Sequence, residues 1–285
     1  MSDTQPPALP QNEPPRPRNE LAARVGSAVV MGVAALATAW LGGLIFLAFW
    51  TAAALVVWWE WTGVVKAAPR SLAMGIGAVA VAGMAVSLAA EAGAVAFICA
   101  VVGAGVVMAG VQTRRAWLAG GILYAGAVLV PAAMLREDAA LGFVAIVWLF
   151  AVVWAEDTGA YFTGRFLGGP KLAPAISPGK TWSGAVGGTL AGMAAGSIVI
   201  LAAGIGWRPA HLVVAFLVTV AAQVGDLFES WIKRRFAVKD ASNLVPGHGG
   251  LMDRLDGFIV ASIVALIIGM AHGGARSPGA GLLQW

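Results

Sequence analysis

Residues 25–59 read VGSAVVMGVAALATAWLGGLIFLAFWTAAALVVWW, 35 consecutive positions without an Asp, Glu, Lys or Arg. About 20 apolar residues carry a helix across the roughly 30 Å hydrocarbon core of a bilayer, so this stretch is nearly two spans long. Gly42 and Gly43 lie near its middle, where the missing Cβ permits a tight reversal. The segment is read as two antiparallel membrane helices, and that division fixes the side on which every later loop falls.

The rest of the chain repeats the pattern. Uncharged runs cover 71–90, 92–113, 116–135, 139–155, 181–207, 209–225 and 257–275, giving nine candidate spans. The composition agrees: 59% of the 285 residues are hydrophobic and 11% are charged, against roughly 25% charged in a soluble domain. The 32 charged side chains are too few to cover a water-soluble fold of this length. The expected fold is therefore all-α, a polytopic membrane protein of about nine helices with a cytoplasmic N-terminus.

The basic residues test this topology, because cytoplasmic loops collect Lys and Arg. With nine spans, fifteen of the eighteen fall on one side, from Arg16, Arg18 and Arg24 through Lys66, Arg70, Arg114, Arg115, Arg165, Lys171 and Lys180 to Lys233, Arg234, Arg235, Lys239 and Arg254. Only Arg136, Arg208 and Arg276 fall on the other. Merging the first two spans would place the larger share outside.

The net charge of +4 flanks apolar spans, so membrane lipid headgroups are the expected partner, with no nucleic acid. Cys99 is the only cysteine, which excludes an intrachain disulfide. Residues 1–20 hold six of the fourteen prolines and read as a disordered cytoplasmic tail. Residues 21–135 form an N-terminal set of about five spans. Residues 136–285 are expected to form a C-terminal region of about four, with cytoplasmic loops at 156–181 and 226–256. Trp58, Trp59, Trp61, Trp117, Trp154, Trp182 and Trp231 lie near span ends, as in an interfacial aromatic belt. Gly184, Gly188, Gly192 and Gly196 recur every four residues, a ridge over which another helix packs closely.

Charge concentrates in residues 226–256, which hold ten of the 32 charged side chains. If the eighth span continues as helix past Asp226, Ser230 at i+4 and Lys233 at i+7 share its face. Val245-Pro246-Gly247-His248-Gly249-Gly250 is a flexible turn leading into a helix whose first turn carries Asp253 and Asp256. Free N–H groups at that helix start suit phosphate. Two carboxylates on one face suit Mg²⁺, whose shell substrate phosphates complete. Ionisable groups at membrane ends are costly if idle, so the cluster reads as a metal and phosphate site at the bilayer surface. On the same side lie Glu156-Asp157 and Ser177-Pro178-Gly179-Lys180-Thr181-Trp182. Gly179-Lys180-Thr181 is no P-loop, because Pro174 stands where that motif needs glycine.

The run Ser230-x-x-Lys233-Arg234-x4-Lys239-Asp240-x5-Pro246-x-His248-Gly249-Gly250-x-x-Asp253-Arg254-x-Asp256 resembles the signature of the phosphatidate cytidylyltransferases, or CDP-diacylglycerol synthases. Asp157-x-x-Ala160-Tyr161 and Ser177-Pro178-x-Lys180-Thr181-Trp182 resemble that family in the same order. Val245 and Ser183 depart from it, the latter standing where glutamate is expected. The resemblance implies a membrane enzyme that joins CTP to phosphatidate, releasing pyrophosphate and depending on Mg²⁺, with a second cation open. It further implies metal coordination by Asp226, Asp253 and Asp256, and phosphate clamping by Lys233, Arg234, Lys239 and Arg254. Ser230 would be a hydrogen-bond donor or an outer-shell metal ligand, and Asp157, Ser177 and Lys180 would contribute from the other loop. His248 bonds a phosphate or caps its turn, and both readings stay open. Asp240 belongs to the catalytic signature, although Glu229, Arg235 and Asp240 read equally well as structural ion pairs. The bacterial inner membrane, a cytoplasm-facing site and a homodimer are expectations of the same resemblance. The neighbouring alternative is an enzyme that uses CTP on another lipid, as a kinase or as a cytidylyltransferase.

Overall fold

The computed structural model describes residues 19–245 and 249–285. Its long helices are α1 (Asn19–Leu41), α2 (Gly43–Val64), α3 (Arg70–Ala89), α4 (Gly93–Gly110), α5 (Arg115–Arg136), α6 (Gly142–Leu167), α7 (Trp182–Ala202), α8 (Pro209–Arg235) and α9 (Met252–Gly273), followed by the short α10 (Pro278–Leu283). The strands β1 (Lys171–Ala173) and β2 (Ser177–Thr181) pair as an antiparallel hairpin between α6 and α7, the one departure from an all-helical chain among the described residues. Eight helices, α2 to α9, are long and apolar enough to cross a membrane, and α1 adds a shorter apolar stretch, Val25–Leu41. Residues 1–18, the greater part of the proline-rich tail, lie outside the described residues.

The 25–59 run breaks at its two glycines, with φ of 65° at Gly42 and 50° at Gly43, a backbone that L side chains rarely adopt. Arg136 closes the turn: its Nε donates to the Ala39 carbonyl at 2.6 Å, one of the carbonyls that helix α1 leaves unpaired at its end. Gly32 faces Trp154, and Trp40 meets Phe143 edge-on, so α1 runs antiparallel to α6.

Large aromatic side chains fitted onto glycines build the core. The Trp58 and Trp61 rings lie over Gly77 of α3 and Gly121 of α5, where an added Cβ would stand 2.2 and 2.3 Å from ring atoms. Trp61 Nε1 also donates to the Trp117 carbonyl at 2.8 Å. Trp58 and Trp61 are thus core residues, 0% and 2% exposed, and they do not belong to the aromatic belt. Trp59, Trp154, Trp182 and Trp231 are exposed and fit it.

The glycine ridge of α7 is used within the chain. Cβ atoms added at Gly184 and Gly188 would lie 2.8 Å from the carbonyl oxygens of Ala160 and Glu156 on α6, a backbone approach only small residues allow. Helices α8 and α9 meet in the same way, the Gly225 position standing 2.5 Å from the Asp256 carbonyl oxygen and 3.2 Å from Gly257 Cα.

The two segments expected as cytoplasmic loops are in large part helical. Helix α6 continues ten residues past Asp157, α8 continues to Arg235, and α9 begins at Met252. Among the described site residues, Asp157, Asp226, Ser230, Lys233, Arg234, Asp253, Arg254 and Asp256 therefore sit on helices, Ser177 and Lys180 on the hairpin, and Lys239 and Asp240 on the connection from α8 to α9.

Candidate active site

The crossing of α8 and α9 generates the centre of the site. Because Gly225 and Gly257 bring the two backbones together, their neighbours Asp226 and Asp256 flank a single point of closest approach. Asp157 on α6 lies within Coulombic reach of Asp226, Lys180 and Arg254, and Asp256 within reach of Asp226, Asp157 and Arg254. Three carboxylates and two cations thus share one end of the bundle. Lys180 arrives from β2 and pairs directly with Asp226, while Arg234 Nε donates to the Ile176 carbonyl at 3.3 Å and holds the hairpin against α8. The two charged segments are brought together, as the family resemblance implies.

Helical continuation past Asp226 gives part of the expected shared face. Ser230 Oγ donates to Asp226 Oδ1 at 3.4 Å. Lys233 turns elsewhere: Nζ pairs with Glu229 Oε2 at 2.7 Å, one helical turn back, and donates to Asp253 Oδ1 at 2.8 Å. Glu229 is 1% exposed, so a buried carboxylate on α8 and another on α9 share one ammonium. Asp253 also accepts from the N–H groups of Ala241 at 2.9 Å and Gly250 at 2.7 Å. Its two oxygens already hold three donors, and it binds the 241–250 loop to the start of α9.

The start of α9 is also occupied. Glu60, on α2 and 1% exposed, accepts from Leu251 N at 2.9 Å, Met252 N at 2.6 Å and Ser242 Oγ at 2.6 Å. The N–H groups expected to be free for phosphate are capped by a carboxylate placed where the helix dipole favours negative charge. This corrects the reading of that helix start as a phosphate site.

Among the remaining signature residues, Arg234, Lys239, Asp240 and Arg254 are exposed on the charged face and Ser177 is half-buried in β2. Asp240 rests against Gly249. Pro246, Gly247 and His248 lie outside the described residues. Ser183, in place of the expected glutamate, donates to the Gly168 carbonyl and joins Thr181 Oγ1 at 3.0 Å, so it helps seat the hairpin on α7. Glu60 and Tyr124, both near the site, belong to apolar runs of the N-terminal half and carry no local motif. For Glu60 the one signal was a carboxylate closing a 35-residue uncharged run.

Among the described residues no three His, Cys, Asp or Glu side chains form a group that holds a metal by itself. The fit to a divalent cation rests on fewer ligands. Asp226 already binds a cation, the Lys180 ammonium, and Asp256 stands across the crossing. Two carboxylates with phosphate oxygens and water completing the shell is the usual arrangement for Mg²⁺. Asp253, fully engaged, does not fit that role.

Carboxylates and cations gathered at one end of a helical bundle are a setting for phosphate chemistry. A model of the cytidylyltransferase family matches residues 22–271, nearly the whole described bundle. The chain belongs to the cytidylyltransferase family. Among its curated relatives, a phosphatidate cytidylyltransferase of Brucella suis is 40% identical over 255 residues, covering 88% of this chain and 94% of the relative. Phosphatidate cytidylyltransferases of Haemophilus influenzae and Helicobacter pylori are 40% and 41% identical over 154 and 122 residues, covering 49% and 43% of this chain and 54% and 46% of the relatives. As a cytidylyltransferase-family member the chain carries its acidic crossing, hairpin lysine and capped α9 within the matched segment.

Proposed function

We propose that this chain transfers the cytidylyl group of CTP to phosphatidate, giving CDP-diacylglycerol and pyrophosphate, at the end of the bundle where α8 and α9 cross. The observation that carries the reading is the Asp226–Asp256 crossing with Lys180 on one carboxylate, in a chain 40% identical to a phosphatidate cytidylyltransferase over 88% of its length.

The nucleophile is a phosphate oxygen of the lipid, anionic at neutral pH, so no protein nucleophile is required. It forms a bond to the α-phosphorus of CTP while the bond from that phosphorus to the bridging oxygen breaks, and pyrophosphate departs with the electron pair. The protein's task is to bring two polyanions into line and offset the charge spread over the transferring and leaving groups. Lys180, on a hairpin pinned to α8, brings an ammonium to the reacting centre, and Arg254 brings a guanidinium from the first turn of α9. Lys239 and the outer nitrogens of Arg234, exposed on the same face, bind phosphate oxygens farther out. Lys233, Glu229, Asp253 and Glu60 hold the α8–α9 corner and its loop in register. A divalent cation held by Asp226 and Asp256, with Asp157 nearby, would supply further neutralisation of phosphate charge.

Phosphatidate is anchored by two acyl chains and CTP is water-soluble. A site on helix ends serves both, opening to lipid on one side and to the cytoplasm on the other, in the inner membrane of a bacterium. The test is product labelling with purified protein, phosphatidate, Mg²⁺ and CTP. Label in the α-phosphate or the cytidine is expected in the lipid product. Lipid labelled only from the γ-phosphate would make the protein a kinase and overturn the proposal.

A further inference from the structure

Tyr124 projects from α5, the most enclosed of the membrane helices, into the space between α2 and α8. Its ring packs on Trp61 at 5.1 Å between centroids and on Phe228 at 6.0 Å. The residue is 7% exposed, yet its hydroxyl has no hydrogen-bond partner among the described residues. A phenylalanine would fill the same volume and make the same ring contacts, and it would avoid the cost of burying an unpaired hydroxyl.

The Phe228 ring on which Tyr124 packs follows Asp226 by two residues on α8, so the tyrosine stands against the turn that carries that carboxylate. It lies within Coulombic reach of Asp256 above all, then of Glu229, Asp253 and Asp226. The oxygens of Asp253 are taken by Lys233, Ala241 and Gly250, and Lys180 sits on Asp226. A neutral donor thus stands beside the acidic crossing, bonded to none of its members. We infer that the Tyr124 hydroxyl donates a hydrogen bond to a phosphate oxygen bound at the α8–α9 crossing, which makes it a substrate-binding residue supplied by the N-terminal half of the chain. The inference rests on the proposed reaction. Both substrates carry phosphate there, and the assay separates them.

Tyr124→Phe in the full-length protein removes one oxygen atom and no packing. The measurements are kcat and KM for each substrate in turn, at saturation of the other, with a thermal unfolding curve of the same preparation. Loss of one hydrogen bond to a charged oxygen predicts a fall in kcat/KM of roughly ten- to a hundredfold, with a melting temperature equal to or above wild type. A rise in KM for CTP assigns the phosphate to the nucleotide; a rise in KM for phosphatidate assigns it to the lipid. Catalytic constants within about twofold of wild type overturn the inference and leave the reaction standing, as does a lower melting temperature with unchanged activity per folded molecule. A wild-type protein inactive toward CTP and phosphatidate overturns the proposed reaction, and the inference with it.

Discussion

Glu60 ties the N-terminal half of the bundle to the loop and helix start beside the site. Its carboxylate takes three short hydrogen bonds, from Ser242 Oγ and from the N–H groups of Leu251 and Met252, in a position 1% exposed. Glu60→Ala removes all three and leaves two backbone donors at the start of α9 without an acceptor. A bond to a charged acceptor contributes about 1.5–3 kcal/mol, and an orphaned buried donor costs about 1–3 kcal/mol. These are not additive, and relaxation of the loop recovers part of the loss, so the net cost expected is about 3–5 kcal/mol. At roughly 2–4 °C per kcal/mol for a chain of this size, the melting temperature in detergent falls by about 10 °C. Glu60→Gln keeps one carbonyl acceptor but turns an NH₂ group toward a backbone donor, and should lose about 1–2 kcal/mol. Limited proteolysis gives a local readout, because the 241–250 segment loses its tether to α2 and is cut faster in both variants. Glu60→Ala melting within about 2 °C of wild type, with an unchanged cleavage pattern, would refute the reasoning.

Two further perturbations test the geometry. At Gly225 an added Cβ stands 2.5 Å from the Asp256 carbonyl oxygen, so Gly225→Leu must push α8 and α9 apart. It is expected to cost about 1–3 kcal/mol of stability and, by separating Asp226 from Asp256, at least about tenfold in turnover per folded molecule. Asp253 holds two backbone N–H groups and Lys233, so Asp253→Asn should lower the melting temperature as well as turnover, by about 2–4 kcal/mol in stability; an unchanged melting curve would return Asp253 to the role of a simple ligand.

The membrane architecture was legible because lipid as solvent imposes a one-dimensional rule, that uncharged runs of about twenty residues are spans. The Gly42-Gly43 break followed from that rule and from the conformational freedom of glycine. From the residues alone Asp226 and Asp256 were legible only as two acids in one charged segment, and it was the family resemblance that implied a shared metal. What joins them is the fit of Gly225 onto the Asp256–Gly257 backbone, a contact that sequence spacing does not reveal. Lys233 was expected to share a face with Asp226, but a buried carboxylate one turn away and another on α9 compete for its ammonium and win on distance. The α9 start was expected to be open because its partner lies 191 positions upstream, and no local pattern marks Glu60 as a cap. Tyr124 was invisible for the same reason: its place beside α8 depends on three helices converging, whereas its neighbours in sequence are all apolar or small.

Asp226 is the carboxylate that pairs with the hairpin lysine beside the α9 crossing, and transfer depends on it most directly. Its side chain is 28% exposed, and its partners among the described residues are the Lys180 ammonium and the Ser230 hydroxyl. The most direct measurement is the initial rate at which cytidine label enters phosphatidate, for wild type and Asp226→Asn at matched folded fraction. The account predicts wild-type transfer that requires both phosphatidate and Mg²⁺, and a variant slower by at least about a hundredfold with an unaltered melting temperature. Asp226→Asn transferring label at close to the wild-type rate would contradict it.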